Sequence, residues 1–234
     1  MLTPSQPIIQ LLSAFAVPMT TPTFPNALVL LYGAILAPGR RTVASALRVM
    51  GREAETNPSK YHRVPSRARF SLWACTRLLL ALLVSIFLPE GTALVLRVDE
   101  TLERRAGKKI RYKGFFRDSA RSVANKVAVS LGIRWGVLCL LAPVPWASRP
   151  WALPFLTVPL LSEKTCQRLK KPHRSGVWWI QRRLEKVRAW YPERQIVLGG
   201  DGGYAAIELV ACCQRLGVTL VARLLEIRRA WARW

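Results

Sequence analysis

The stretches Ala93–Thr101, ALVLRVDET, and Gln195–Asp201, QIVLGGD, decide the fold. Each is a short run of Leu, Ile and Val that ends on acid, and the first is bounded upstream by Pro89-Glu90-Gly91. Aliphatic and β-branched runs of this length, punctuated by Gly and Pro, read as strands. Between them, VANKVAVSLGIRWGVLCLLAPVP and WALPFLTVPLL predict further strands, and Ser175–Trp190 predicts a helix. Beyond Asp201, Tyr204–Leu216 predicts a helix stopped by Gly217, and Val218–Arg223, VTLVAR, another strand. Strands and helices in this order predict an α/β fold: a mixed sheet with flanking helices.

Upstream of Gly91 the sequence reads as helical. NALVLLYGAILA is a short apolar helix stopped by Pro38-Gly39. Thr42 then caps VASALRVM, in which Val43, Ala46, Leu47 and Met50 fall at i, i+3, i+4 and i+7, with Gly51 as the stop. Two short helices around a Pro-Gly-Arg-Arg turn suit either a helix-turn-helix or a plain helical hairpin. A basic stretch, KYHRVPSRARF, follows and runs into LLLALLVSIFL, Leu78–Leu88. A bilayer needs roughly twenty apolar residues, so this run predicts a buried core helix, with membrane contact through Phe70–Leu88 as the competing reading. The organisation predicted is a helical region over 1–90 and an α/β domain over 91–234.

Composition narrows the partner. The 234 residues are 51% hydrophobic, enough for a core, yet 36 Lys+Arg face 13 Asp+Glu, a formal charge of +23. Disordered, collagenous and disulfide-scaffold classes are excluded. A foldable core with that positive excess points to a polyanion, either nucleic acid or an anionic membrane face. The five cysteines, Cys75, Cys139, Cys166, Cys212 and Cys213, form no CxxC pair and no zinc spacing, and read as reduced, mostly buried thiols. No positive region precedes the apolar IIQLLSAFAVP, so a cytoplasmic protein is expected.

Carboxylates are scarce, which makes their placement informative. Asp99 and Asp201 each close an apolar strand, at the end of the sheet where α/β folds build their sites. Two such acids side by side repel, and either a divalent cation or surplus Lys and Arg would have to neutralise them.

The residues around Asp99 carry more. VDETLERRAGKKIRYKGFFRDSARS, then LGIRWGVLCLLAPVPW, WALPFLTV, the KKPHR turn and GGDGGYAAIEL, in that order, resemble the DDE transposases of bacterial insertion sequences. ILAPGRRTVASALRVMG and YHRVPSRARF look like the N-terminal region of the same branch, so the resemblance runs from about Phe24 to Arg223. It implies a ribonuclease-H-like fold in which three acids hold two Mg²⁺ or Mn²⁺ ions. One ion would activate water or a 3′-hydroxyl and the other would stabilise the leaving oxygen. Asp99 is then the first catalytic and metal-binding acid and Asp201 the second. The resemblance also implies that 1–90 binds DNA and that 91–234 is the catalytic domain. Element ends and target DNA are the implied partners, a homo-oligomer stays open, and no membrane partner is implied.

The sequence departs from the family pattern at its end. The third acid, a Glu on a helix well beyond the fifth strand, has no counterpart, and LLEIRRAWARW does not continue the pattern. Glu208 and Glu226 are the late carboxylates that could stand in. A truncated copy, inactive by itself, is therefore expected, and a catalytically dead DNA-binding protein that occupies element ends or inhibits full-length transposase is the alternative.

Basic residues cluster beside the first acid: Arg104, Arg105, Lys108, Lys109, Arg111, Lys113, Arg117, Arg121 and Lys126, with Asp118 the one acid among them. They read as a phosphate-binding stretch or as a solvated loop. Lys170, Lys171, His173 and Arg174 form a second cluster matching a basic turn of the family, and Lys171, His173 and Arg174 join the DNA-binding set. Trp178-Trp179 and Trp146/Trp151 suit packing on the sheet better than base stacking. GGDGG lacks the Lys-Ser/Thr of a Walker loop, and its glycines fit clearance around an acid. If the first cluster neutralises about five phosphates, log affinity for DNA falls with log salt at a slope of roughly −4 to −5. A binding titration across salt concentrations checks this, and a flat profile would remove the phosphate-binding reading.

Overall fold

The computed structural model describes residues 5–123 and 125–223, and the chain forms two compact units, Met1–Leu79 and Leu80–Trp234. The first unit is helical: α1 (Gln6–Leu12), a 3₁₀ turn (Ser13–Ala16), α2 (Thr23–Leu36), α3 (Val43–Val49) and α4 (Ser59–Ser66). Thr42 caps α3 as its sequence position requires, its Oγ1 accepting from the Ser45 amide at 3.1 Å. Val29, Leu47, Met50 and Tyr61 form the core of this unit, with Leu30, Tyr32 and Val43 packed on it. Tyr61 comes from α4, a helix inside the stretch read only as basic. Its hydroxyl accepts from Arg52 at 3.1 Å, so the buried phenol is satisfied.

α5 (Leu72–Phe87) is a sixteen-residue helix across the division between the units. It buries Leu80 and Val84 and exposes Leu72 and Ile86. Among the described residues no helix is long and apolar enough to cross a membrane.

The second unit is a six-stranded mixed sheet: β1 (Leu94–Arg104), β2 (Gly114–Arg117), β3 (Val129–Ala142), β4 (Trp151–Leu160), β5 (Ile196–Gly200) and β6 (Val218–Ala222). β3 pairs antiparallel with β1 on one edge; on its other edge it pairs antiparallel with β2 over Val129–Gly132 and with β4 over Arg134–Ala142. β1 pairs parallel with β5, and β5 parallel with β6. An antiparallel half is thus fused through β1 to a parallel half, the mixed sheet with flanking helices expected from the order of strands and helices in the sequence. Three helices accompany it: α6 (Glu163–Arg168), α7 (Gly176–Trp190) and α8 (Ile207–Arg215). Trp179 and Ile180 of α7 face Val98, Leu138 and Leu160 of the sheet across a small apolar gap. Leu94, Leu96, Ile196 and Leu198, on that same face, are fully buried.

β1 runs further than its apolar pattern suggests. Asp99 does not close it, because β3 goes on pairing as far as Arg104↔Gly132. An antiparallel partner satisfies the backbone of Glu100–Arg104 even though few of these side chains are apolar. β2 and α6 were not apparent from sequence. α6 is fixed by Ser162, which caps it through the Thr165 amide, and by the buried Thr165, whose hydroxyl donates to the Lys113 carbonyl at 3.0 Å.

Where β1, β2 and β3 meet, Asp118 is 2% exposed and accepts from Arg104 Nε at 2.7 Å, Arg104 Nη2 at 3.0 Å and Ser130 Oγ at 2.7 Å. The Arg104 guanidinium, followed by the Ser130 hydroxyl, holds its carboxyl down from the ordinary 3.8 to about 2. A depressed carboxyl stabilises the fold above its ordinary value and loses that contribution as pH falls through the folded one. Asp118→Asn should therefore lower the thermal midpoint near pH 6 and flatten its decline between pH 4 and 2, as measured by unfolding across pH. An unchanged acid limb would show that the triad does not anchor the sheet.

Candidate functional site

The parallel ladder of β1 and β5 ends at Arg97↔Gly199. Asp99 and Asp201 each lie two residues beyond that last pair, so both acids follow the end of the ladder by the same step. Within β1, Asp99 alternates to the face opposite to buried Leu96 and Val98. Beyond the ladder the two chains part: β1 continues along β3, while Asp201 caps a 3₁₀ turn, Gly202–Tyr204, its Oδ1 accepting from the Gly203 amide at 3.0 Å. Asp99 Oδ1 accepts from the Glu100 amide at 2.8 Å. Both acids are exposed, and both line one open cleft of about 570 Å³ together with Glu100, Arg117, Arg134, Ser175 and Tyr204. Although two arginines share that lining, among the described residues neither Asp99 nor Asp201 is in a salt bridge.

Glu100, Arg134 and Tyr204 were not singled out from sequence. Glu100 alternates to the other face of β1, where its Oε1 accepts from the Tyr204 hydroxyl at 3.0 Å and its Oε2 lies 3.4 Å from Arg134 Nη1. Burial, with the Glu100 carboxylate beside it, pushes the Tyr204 phenol well above its ordinary value and keeps it a hydrogen-bond donor. The adjacency of Glu100 to Asp99 was visible in the DET triplet, but nothing local pairs it with a tyrosine 104 positions away.

The basic residues sort into held and free. Arg104 is fixed on Asp118, and Arg105 pairs with Glu103. Lys113 donates its Nζ to the Gly107 carbonyl at 3.0 Å. Lys108, Lys109, Arg111 and Arg121 are exposed, and Arg117 reaches the cleft. In the second cluster Lys171 lies over the Tyr112 ring at 5.9 Å and Arg174 over Trp178 at 4.6 Å, while His173 is exposed just ahead of Ser175. Trp178 and Trp179 meet edge to face at 5.0 Å, and Arg182 approaches Trp178 from 5.7 Å. Trp146 and Trp151, expected to pack on the sheet, instead meet edge to face at 6.3 Å with Trp146 70% exposed. Trp146 lies in the connection between β3 and β4 and Trp151 opens β4, and neither belongs to the apolar gap that α7 lines with the sheet. The five cysteines are free thiols, three of them buried. Glu208 opens α8, away from the cleft lining, and Glu226 lies outside the described residues.

The sequence pattern of the DDE superfamily endonucleases matches residues 15–234. The chain belongs to that family. Among solved structures it is similar, at 12% identity and a TM-score of 0.40, to the piggyBac transposase in a synaptic complex with hairpin DNA. That alignment covers 89% of this chain and 42% of the transposase chain. No curated protein matches. DDE superfamily endonucleases use divalent metal ions, and the donor chemistry here suits one. Asp99 and Asp201 offer hard carboxylate oxygens to one cleft, each with one oxygen engaged by a backbone amide and, among the described residues, neither in a salt bridge. Among the described residues no group of three His, Cys, Asp or Glu side chains is placed to hold a metal ion.

Because Arg104 supports a buried carboxylate whereas the exposed Lys108 and Lys109 hold no ion pair among the described residues, their substitutions should separate. Arg104→Ala lowers the thermal midpoint clearly, whereas the Lys108→Ala, Lys109→Ala pair stays within about 0.5 kcal/mol of wild type. Unfolding curves of the two variants decide whether the cluster is divided this way.

Proposed function

We propose that this chain carries a transposase-type DNA strand cleavage and transfer activity, with Asp99 and Asp201 as the carboxylates that bind Mg²⁺ or Mn²⁺. The observation that carries the reading is their convergence on one cleft, unneutralised, in a protein of charge +23 whose ion pairs among the described residues fall on other acids. A bound divalent ion supplies the Lewis acidity that activates an attacking hydroxyl and stabilises the leaving oxygen. The protein supplies orientation. Arg117 and Arg134 on the cleft wall suit phosphate oxygens of a DNA strand, and the exposed Lys108, Lys109, Arg111, Arg121, Lys171, His173 and Arg174 suit further phosphate contacts. Arg104, Arg105 and Lys113, counted with them from sequence, serve the fold first. The helical 1–90 region, with Arg40, Arg41 and Arg48 exposed around the α2–α3 turn, suits a second DNA contact, and 91–234 suits the catalytic role.

A second reading has its own observation. Among the described residues no third carboxylate is placed with these two to hold a metal ion, Glu100 being engaged by Tyr204 and Arg134, which favours a protein that occupies DNA ends without cutting them. Nicking of supercoiled plasmid in Mg²⁺ or Mn²⁺ separates the two. Wild type should nick, and the Asp99→Ala, Asp201→Ala double variant should lose roughly two orders of magnitude in rate. Equal nicking by both would end the catalytic assignment. Salt-sensitive DNA binding without nicking, unchanged in Asp99→Asn, would establish the occupying role instead.

A further inference from the structure

The backbone ladder that brings Asp99 and Asp201 together stops short of them. Its last pair is Arg97↔Gly199, and past that point β1 follows β3 while the Asp201 segment turns into a 3₁₀ helix. No main-chain hydrogen bond of the β1–β5 ladder therefore fixes the spacing of the two acids. A side-chain bridge spans the gap. Tyr204, 4% exposed, donates its hydroxyl to Glu100 Oε1 at 3.0 Å. Each end of that bridge is tied to one acid: the Glu100 amide donates to Asp99 Oδ1 at 2.8 Å, and the Tyr204 amide donates to the Asp201 carbonyl at 3.0 Å.

The bridge is braced on two sides. Arg134 Nη1 sits 3.4 Å from Glu100 Oε2, its Nη2 donates to the Arg117 carbonyl at 3.2 Å, and its guanidinium lies over the Phe116 ring at 4.8 Å. From α7, Gly176 leaves room that a side chain would fill: a Cβ there would stand 2.6 Å from Glu100 Oε1 and 3.4 Å from the Tyr204 hydroxyl. With one oxygen accepting from Tyr204 and the other facing Arg134, both Glu100 oxygens are engaged by side chains of the protein. Its place in the cleft is that of a support.

We propose that Glu100, Tyr204 and Arg134 form a positioning clamp, which sets the spacing of the Asp99 and Asp201 carboxylates where the sheet's own hydrogen bonds end. The proposal rests on the metal-binding reading of the two aspartates. Glu100 and Tyr204 touch neither metal nor DNA in it, and act through the residues they hold. Supports of this kind govern how well a carboxylate pair is prepared for its ion.

Mn²⁺ titration of the full chain, followed by the paramagnetic signal of the free ion and run well below the thermal midpoint of each variant, tests it without any need for DNA cleavage. Tyr204→Phe removes only the hydroxyl and should weaken Mn²⁺ binding about tenfold, while Glu100→Gln, which keeps the acceptor for Tyr204, should stay within about threefold of wild type. Glu100→Ala combined with Tyr204→Phe should bind no more weakly than Glu100→Ala alone, because both break the same link. A purely structural role for Tyr204 would shift the midpoint and leave the affinity of folded protein unmoved. Wild-type affinity in Tyr204→Phe, with affinity lost in Asp99→Ala, overturns the clamp and keeps the metal site. Unaltered affinity in Asp99→Ala overturns the metal site itself. Should Tyr204→Phe not fold, Glu100→Ala with and without Arg134→Met carries the same comparison: weakened binding in Glu100→Ala supports the clamp, and wild-type binding refutes it.

Discussion

The in-register parallel pairing of β1 with β5 is the constraint on which the candidate site depends. It is enforced by side chains remote from any chemistry. Leu94, Leu96, Val98, Ile196 and Leu198 are between 0 and 3% exposed, and each such burial contributes about 1.5–3 kcal/mol gross. A slip of one residue would turn all the side chains of one strand to the opposite face and forfeit those contributions together. The apolar alternation thus fixes which residue of β5 stands beside which residue of β1, and brings the two chains level at Arg97 and Gly199, two residues before the acids.

Electrostatics then decides what the two acids are free to do. With nearly three basic residues for every acid, a carboxylate would be expected to attract a guanidinium or ammonium, and several do. Asp118 holds Arg104, Glu103 holds Arg105, Glu55 holds Lys60, and Glu185 meets both Arg182 and Arg215. Glu100 draws Arg134 to the opposite face of β1 from Asp99. Strand alternation separates neighbours in sequence by the thickness of the sheet, so the arginine that meets Glu100 is withheld from Asp99. The same geometry explains why the basic run after β1 is a mixed population: residues whose Cβ turns inward near Asp118 become struts, and those on the turns stay in solvent.

Much of this was legible in the sequence, and the remainder was not for reasons that differ by element. Thr42 and Ser175 cap helices where hydroxyls precede apolar periodicity, and Gly51 and Gly217 stop helices with φ of 65° and 59°. These are local signals, complete within a few residues. β5 and β6 were equally plain, as buried parallel strands with near-continuous apolar runs. β2 is four residues long among basic ones, and its identity as a strand comes from β3, which supplies its hydrogen-bond partner. The extension of β1 beyond Asp99 has the same origin. Within the site, Asp99 and Asp201 stood out because acids are rare here and apolar strands lead to them. The Glu100–Tyr204 link spans 104 positions, and no periodicity or spacing rule connects its ends before the fold does.

The glycines flanking Asp201 take their meaning from that link. A Cβ on Gly200 would stand 2.9 Å from Tyr204 Cβ and 3.3 Å from a Val98 methyl, and one on Gly176 would meet the Glu100 carboxylate. Backbone clearance, rather than phosphate cradling, accounts for a glycine before the acid, as the absence of a following Lys-Ser/Thr already suggested. A ring has to fold back over the end of β5 for its hydroxyl to reach β1, and the strand must be bare where the ring passes. The small residues and the large one are therefore parts of a single arrangement. The tyrosine closes the end of the sheet and the glycines admit it, while the two acids stay exposed in the cleft that the ring helps to line.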